Sequence, residues 1–496
     1  MCDKHYFLGI DLGTSSLKLT LVDENKQVLR DETVGYSVSQ PRPGWREIDP
    51  DIWYECLVQG LESVFAHFSP EKLLGIGVTG QMHTLVMLDG DGRSVRPAIM
   101  WDDTRTRDLI GELRTQIASL KNCDYIAKTI STGSPASNLF WLRKHEPEHY
   151  NDIRKFLIAP DYLVYRLTGQ YSTDYCEASS SCLYDIAERR WSEPMRSLLQ
   201  LDPSVYPEVR GSACCAGTLN HEIVSRFSLR SDVYVIVGTG DNPATAISVG
   251  CIGRGYPFIS LGTSGVLMMQ ALQLKSDTKG KKVLVSLDCE DFFYLVQGTI
   301  QSNGSVYEWW NHDIMGIKDF SQIDTLFKGY VAPDNDLLFF PHLTGEKTIF
   351  SDPDIRGALL GLCISTTKND MIYAVMEGLC YGFRELAEEM GLVIADCECI
   401  RLVGGASRSA VWAQTMANVL NVTIEQMSNT SGAGYGIALL AAYKCGFICS
   451  DEEMVDGSNA VERVFFPQSE AVRICERKYH QYRRIYNALK SVYCLR

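Results

Sequence analysis

Two apolar runs open the chain, Tyr6–Leu12 and Leu17–Asp23, and a third segment of mixed polarity follows from Gln27 to Tyr36. The breaks between them are Gly13-Thr14-Ser15 and Asp23-Glu24-Asn25. Short apolar runs bounded by turn residues predict a β-meander over residues 6–35. The first hairpin then returns half a chain later. Ile259-Ser260-Leu261-Gly262-Thr263-Ser264-Gly265-Val266-Leu267-Met268 aligns with it on Leu-Gly-Thr-Ser. Two copies of one strand-turn-strand unit predict two related domains whose Gly-Thr-Ser turns face each other. The boundary falls close to residue 245, giving domains 1–245 and 246–496.

Between the copies, Asp49-Pro50 opens a predicted helix from Asp51 to Phe68, with Asp49 as the capping acceptor. Leu74–Gly80 reads as a buried strand ending at Gln81-Met82-His83, and Leu85–Leu88 as another. Residues 105–231 read as mainly helical, with irregular stretches around Ser131–Ser137 and Ser172–Ser181. Val233–Val237 is a β-branched run typical of a buried strand. It ends in Gly238-Thr239-Gly240-Asp241-Asn242-Pro243, before a helix over Ala244–Val249. The second half predicts a helix over Asp370–Met390, a strand Ile400–Val403, a turn at Gly404–Ser407 and a helix Ser409–Leu420. A strand Val422–Gln426, a glycine turn Ser431–Gly436, a helix Ile437–Lys444 and one long amphipathic helix Glu470–Ser491 follow. Strands alternating with helices place the chain in the α/β class.

Composition narrows the function. At 496 residues and 45% apolar content the chain can fill two or three cores. The formal charge of −14 (47 basic minus 61 acidic) argues against a general nucleic-acid binder or an anionic membrane surface. Met1–His5 lead into a strand without the apolar stretch of a secretion signal, and no apolar run approaches a bilayer span. The 17 cysteines are scattered without a Cys-x-x-Cys pair, which fits free thiols in a reducing cytoplasm.

The candidate chemistry sits in the turns. Gly13-Thr14-Ser15 between two strands would present backbone N–H groups and hydroxyls to phosphate oxygens. Asp11, which has Ser260 as its counterpart in the second copy, could hold a magnesium ion through water. Lys18 could share the phosphate-facing side. Asp241 follows a buried strand and precedes a helix, a rigid position for a general base against an incoming hydroxyl, or for a helix cap. Gly404-Gly405-Ala406 leaves bare backbone for a flat ring or a phosphate. His83 reads as a sugar ligand or as a core histidine, and Trp309-Trp310 as packing or a ligand platform. Gly345-Glu346-Lys347-Thr348 is not a Walker A loop, because Glu346 interrupts the Gly-Lys pair.

Together these segments resemble the FGGY family of carbohydrate kinases over nearly the whole chain. The most specific element is Gly357-Ala358-Leu359-Leu360-Gly361-Leu362, then Asp370-Met371 and Ala374-Val375-Met376-Glu377, which fits the family's C-terminal signature. Within the family the likeness is strongest to members acting on the ketose xylulose. It rests on Gly44–Pro50, Gly80–His83, Pro97–Arg105, Trp141–Pro147, Pro160–Leu163 with Thr168-Gly169, and Ser260–Gly265.

The resemblance implies two actin-like, hexokinase-like (ribonuclease H-like) ATPase domains flanking a central cleft. It implies ATP-dependent phosphorylation of a ketose, with ATP and Mg2+ as cofactors. Asp241 would be the catalytic base, with Gln81, Met82, His83 and Asn242 on the sugar. The nucleotide and its phosphates would meet Gly13, Thr14, Ser15, Lys18, Gly262, Thr263, Trp309, Gly404, Gly405, Ala406 and Ser409, with the metal at Asp11. A cytoplasmic homodimer is the implied setting. Two positions depart from the family pattern: Asn138 replaces a lysine, and Thr239 replaces the middle of three glycines. Another sugar or polyol, or a non-enzymatic actin-like nucleotide switch, stay open as alternatives.

Overall fold

A computed structural model describes residues 5–274, 278–317, 321–327, 333–427, 432–455 and 461–493. Packing divides the chain into two compact units. The first comprises Met1–Arg254, Lys282–Tyr294 and Ser431–Ser458; the second comprises Gly255–Lys281, Leu295–Thr430 and Asn459–Arg496. The first unit takes in residues 282–294 and 431–458, which a single cut at 245 assigns to the second half.

The first unit is built on a twisted sheet ordered Cys215–Thr218, Tyr234–Ile236, Leu73–Gly80, Tyr6–Leu12, Ser16–Asp23, Val28–Gly35. Tyr6–Leu12 pairs antiparallel with Ser16–Asp23 and parallel with Leu73–Gly80. Helices cover both faces, so the central strands are apolar on both sides. Trp53, Leu57 and Leu61 of helix Asp51–Phe65 join Leu17, Leu19 and Leu21 in one core.

The second unit repeats this plan. Its sheet runs Phe293–Ile300, Gly265–Ala271, Phe258–Leu261, Ile400–Val403, Ile424–Met427, Val461–Phe465. Phe258–Leu261 pairs antiparallel with the strand after its turn and parallel with Ile400–Val403. Each Gly-Thr-Ser turn thus caps a hairpin whose first strand is central in its sheet. The duplication read from the sequence is a duplication of topology.

Several elements differ from expectation. Helix Asp51–Phe65 ends early, and Pro50 rather than Asp49 holds its N-cap position, although Asp49 Oδ1 accepts from the Asp51 amide at 3.1 Å. Ser172–Asp174 is a strand and Tyr175–Ser180 a helix, where irregular chain was expected. The C-terminal helix is two, Ser469–Tyr482 and Ile485–Tyr493. Near the break Arg483 turns to pair with Glu385 at 3.2 Å and also with Glu388, while Tyr486 stacks on Phe350 at 3.8 Å. Ser431 of the expected glycine turn lies outside the described residues. Gly434 and Gly436 are helical, within Gly432–Lys444.

Candidate active site

In the first unit, the Gly13 amide donates to the Ser16 carbonyl at 2.9 Å and closes the turn. Register places Asp11 opposite Lys18, on the same side of the hairpin. Burial pushes the Asp11 carboxyl up to about 6, against the opposing charge of Lys18. Lys18 ion-pairs with Asp31 at 3.1 Å. A single half-buried carboxylate beside a tight backbone turn has the chemistry to hold a magnesium ion that keeps most of its water. Among the described residues no group of three or more His, Cys, Asp or Glu forms an all-protein cage.

A tryptophan reaches this turn that the sequence reading did not single out. Trp101 is 44% exposed, and its indole N–H donates to Thr14 Oγ1 at 3.1 Å. Its amide donates to Thr84 Oγ1 at 3.1 Å, and that hydroxyl donates to Gln81 Oε1 at 3.1 Å. The Gly13–Ser15 turn and the Gln81–His83 segment are therefore joined by one polar chain. The loop behind Trp101 is held by buried charges: Arg105 pairs with Asp103 and Glu47, each at 2.7 Å, and lies 4.0 Å over the Trp45 ring. Arg96 adds pairs to Glu47 and to Glu146, the latter at 2.8 Å. Three segments that carried the resemblance, Gly44–Pro50, Pro97–Arg105 and Trp141–Pro147, thus meet in one cluster. An indole within Met100-Trp101-Asp102-Asp103 was the available sequence signal.

Gln81, Met82 and His83 follow the end of strand Leu73–Gly80. Gln81 and Met82 are buried, and His83 is half-buried with a left-handed φ of 70°. Thr239–Gly240 runs parallel to Thr79–Gly80, which sets Asp241 beside this segment. The N-cap position of helix Asp241–Ser248 falls on Gly240, so Asp241 opens the helix and is not its cap. Asn242 Nδ2 lies 3.7 Å from Met82 Sδ. At Gly240 a Cβ would sit 2.6 Å from Met82 Cγ and 3.0 Å from Glu177 Oε1, so a larger residue there would displace the Met82 side chain.

Behind the turn, Thr239 Oγ1 donates to Asp174 Oδ2 at 2.6 Å, the Ser212 hydroxyl donates to the same oxygen at 3.3 Å, and the Glu177 amide donates to Oδ1 at 2.9 Å. Burial pushes the Asp174 carboxyl up to about 6, and these donors oppose the shift. Asp174 and Glu177 had no sequence signal, lying in a stretch read as irregular. The departure at Thr239 is met by this acceptor. The departure at Asn138 is met by full burial, with its amide donating to the Gly133 carbonyl at 3.5 Å.

In the second unit, the Gly304 amide donates to Gly262 O at 3.0 Å and the Ser305 amide to Thr263 O at 3.1 Å. The start of helix Gly304–Trp309 therefore backs the second turn, and Trp309 ends that helix 38% exposed. Gly404 has φ 95°, where a Cβ would meet Leu261 O at 2.7 Å, while Gly405 faces open space. Gly404 and Gly405 thus present bare backbone beside the second hairpin, and Ala406 continues a short helical turn over Gly405–Arg408. Ser409 caps helix Ala410–Leu420: its hydroxyl accepts from the Trp412 amide and donates to Asp324 Oδ1 at 2.6 Å.

The family signature in this unit is largely a packing device. A Cβ at Gly357 would lie 2.3 Å from Leu343 Cδ2, Gly361 takes φ 85°, and Asp370 closes a capping box with Thr367. Glu377 pairs with Lys478 where both are fully buried.

Duplicated hairpin units of this topology, with phosphate-type turns and a carboxylate opening a helix at a sheet edge, define a two-domain sugar-kinase fold. The chain belongs to the FGGY family of carbohydrate kinases: the family's N-terminal domain matches residues 6–248 and its C-terminal domain residues 258–445. It is a carbohydrate kinase. Among relatives it is similar to a xylulose kinase of Staphylococcus xylosus, 30% identical over 98% of this chain and 99% of that protein. Among solved structures it is similar to a xyloylose kinase from Brucella ovis, with TM-score 0.87 and 30% identity, covering 98% of this chain and 100% of that one. A gluconate kinase from Lactobacillus acidophilus shares the fold with TM-score 0.85 at 22% identity, covering 99% of each chain. Among the described residues no helix is long and apolar enough to cross a membrane.

Proposed function

We propose that this kinase transfers the γ-phosphoryl group of ATP to D-xylulose, forming D-xylulose 5-phosphate, with Asp241 as general base. The observation that carries the reading is the meeting of Met82, Asn242 and the Asp241 helix start at one sheet edge. Asp241 would take the proton of the attacking hydroxyl, while Gln81, Met82, His83 and Asn242 orient the sugar. The turns Gly13–Ser15, with Lys18, and Gly262-Thr263 would hold phosphates. Gly404, Gly405, Ala406 and Ser409 would border the nucleotide, with Trp309 near it. Asp11 would hold Mg2+, which when bound offsets charge on the phosphate oxygens. Phosphoryl transfer rests on positioning and charge stabilisation, and the polar chain from Thr14 through Trp101 and Thr84 to Gln81 supplies positioning. A cytoplasmic homodimer is part of the same proposal, on the family likeness.

The test is ADP release measured over a panel of pentoses, polyols and gluconate. Preference for D-xylulose and a turnover reduced roughly 10²–10⁴-fold in Asp241→Ala, with sugar and ATP binding retained, are expected. Near wild-type turnover in that variant would remove the base assignment. Strong preference for another acceptor, the second reading left by Thr239 and Asn138, would replace the substrate and keep the chemistry.

A further inference from the structure

We propose that Cys214 and Cys289 are a redox-modification site, joined by oxidation into a reversible disulfide that acts on the turn carrying Asp241. Their sulfurs lie 3.9 Å apart; Cys289 is exposed and Cys214 half-buried. They sit on two segments zipped together edge to edge. The Ser212 amide donates to Ser286 O and the Ala213 amide to Leu287 O, both at 2.9 Å, and the Gly211 amide donates to Cys289 Sγ at 2.9 Å. The seam closes this tightly because residue 211 is glycine: a Cβ there would lie 2.5 Å from Leu287 O.

The other edge of Gly211–Cys214 holds the strand before Asp241. The Val237 amide donates to Cys214 O at 2.9 Å and the Gly238 amide to Ser212 O at 3.0 Å. The Ser212 and Thr239 hydroxyls then share Asp174 Oδ2. Bond formation would draw the sulfurs from 3.9 Å to about 2.05 Å. Because Cys214 shares its backbone with the Val237 bond, that closure is felt at Val237–Thr239.

The two cysteines have distinct parts in the chemistry. A hydroperoxide reaches the exposed Cys289 thiolate, whose sulfur attacks the near oxygen; the O–O bond breaks, leaving a sulfenic acid and an alkoxide that takes a proton. Cys214 sulfur then attacks Cys289 sulfur, the S–S bond forms, and the sulfenic hydroxyl leaves with the thiol proton as water. Two thiols have lost two electrons and two protons to one peroxide. A dithiol reductant reverses the step by exchange. Burial pushes the Cys214 thiol up, as befits the partner that attacks second.

The test uses the whole protein with hydrogen peroxide as probe, followed by non-reducing peptide mass spectrometry. A cross-linked peptide pair joining Cys214 and Cys289 is expected, cleaved by dithiothreitol and absent from C214S and C289S. Oxidation of Cys289 to a sulfinic acid with no cross-link, or cross-links only among other cysteines, would overturn the site. The effect on the turn, which rests on the kinase reading above, is read from ADP release. Turnover should fall roughly 10–100-fold in oxidised wild type, recover on reduction, and resist peroxide in both serine variants. A formed disulfide with unchanged turnover would overturn the coupling. Reduced protein inactive on every sugar would overturn the kinase substrate reading while the cross-link result stands.

Discussion

Helix Gly432–Lys444 rests on the first unit's sheet through backbone, and one added methyl group should dislodge it. Gly9 is central in strand Tyr6–Leu12, opposite Thr20 and beside Gly77. A Cβ at Gly9 would sit 1.8 Å from the Gly434 carbonyl oxygen, and one at Gly77 2.5 Å from that of Ile437. For Gly9→Ala the carbonyl must retreat by at least 1.2 Å (3.0 minus 1.8). It belongs to a helix and cannot rotate aside as a flexible side chain could. Overpacking of this kind costs about 3 kcal/mol, the upper end of the usual range. Alanine recovers roughly 0.5–1 kcal/mol by restricting the unfolded chain. A net loss of about 2 kcal/mol remains. The displacement also reaches the site, because Gly436 packs so closely on helix Asp241–Ser248 that a Cβ there would lie 1.9 Å from Ala244 O. Urea denaturation, with hydrogen exchange on the peptide covering residues 432–444, measures the effect. Gly35→Ala, where nothing lies within 4 Å, is the control. The reasoning is refuted if Gly9→Ala matches Gly35→Ala in midpoint and leaves helix protection unchanged.

Two further outcomes follow from buried charge in the second unit. Burial pulls the His342 imidazole down to about 3, below its unfolded value of 6.5. Its contribution to stability is therefore full above pH 6.5 and declines as pH falls toward 3, by about 2 kcal/mol at pH ~5. His342→Gln should lose less stability than wild type between pH ~7.5 and ~5, and equal losses in both proteins would contradict the assignment. Glu377→Gln strands the Lys478 ammonium without a countercharge and should cost roughly 3–5 kcal/mol, while the double variant Glu377→Leu/Lys478→Met regains most of it. A single variant as stable as the double one, in calorimetry or urea titration, would show that the pair is not coupled in this way.

Legibility varied with the range of the interactions. The hairpins were readable because apolar runs around a Gly-Thr-Ser turn are local, and strand Ile400–Val403 was found to the residue. Gly434 and Gly436 misled, since isolated glycines read as a turn; here they lie inside a helix, and at Gly436 the Ala244 carbonyl, 1.9 Å from where a Cβ would sit, explains the glycine. Asp241 could be placed after its strand, and of its two readings the N-cap position on Gly240 excludes the helix cap. Glu177, Asp174 and the Cys214–Cys289 pair left no trace in the sequence, because each depends on segments 38 to 75 residues apart meeting.

What the chain's own order determined is the pair of hairpins and the α/β class, since short apolar runs and turn preferences need no partner. The tertiary structure alone decided that residues 432–444 return to the first unit's sheet, that Trp101 touches Thr14, and that Asp174 anchors Thr239. Those outcomes depend on steric fit and burial among distant segments, and no local pattern encodes which distant surface a helix or side chain will meet.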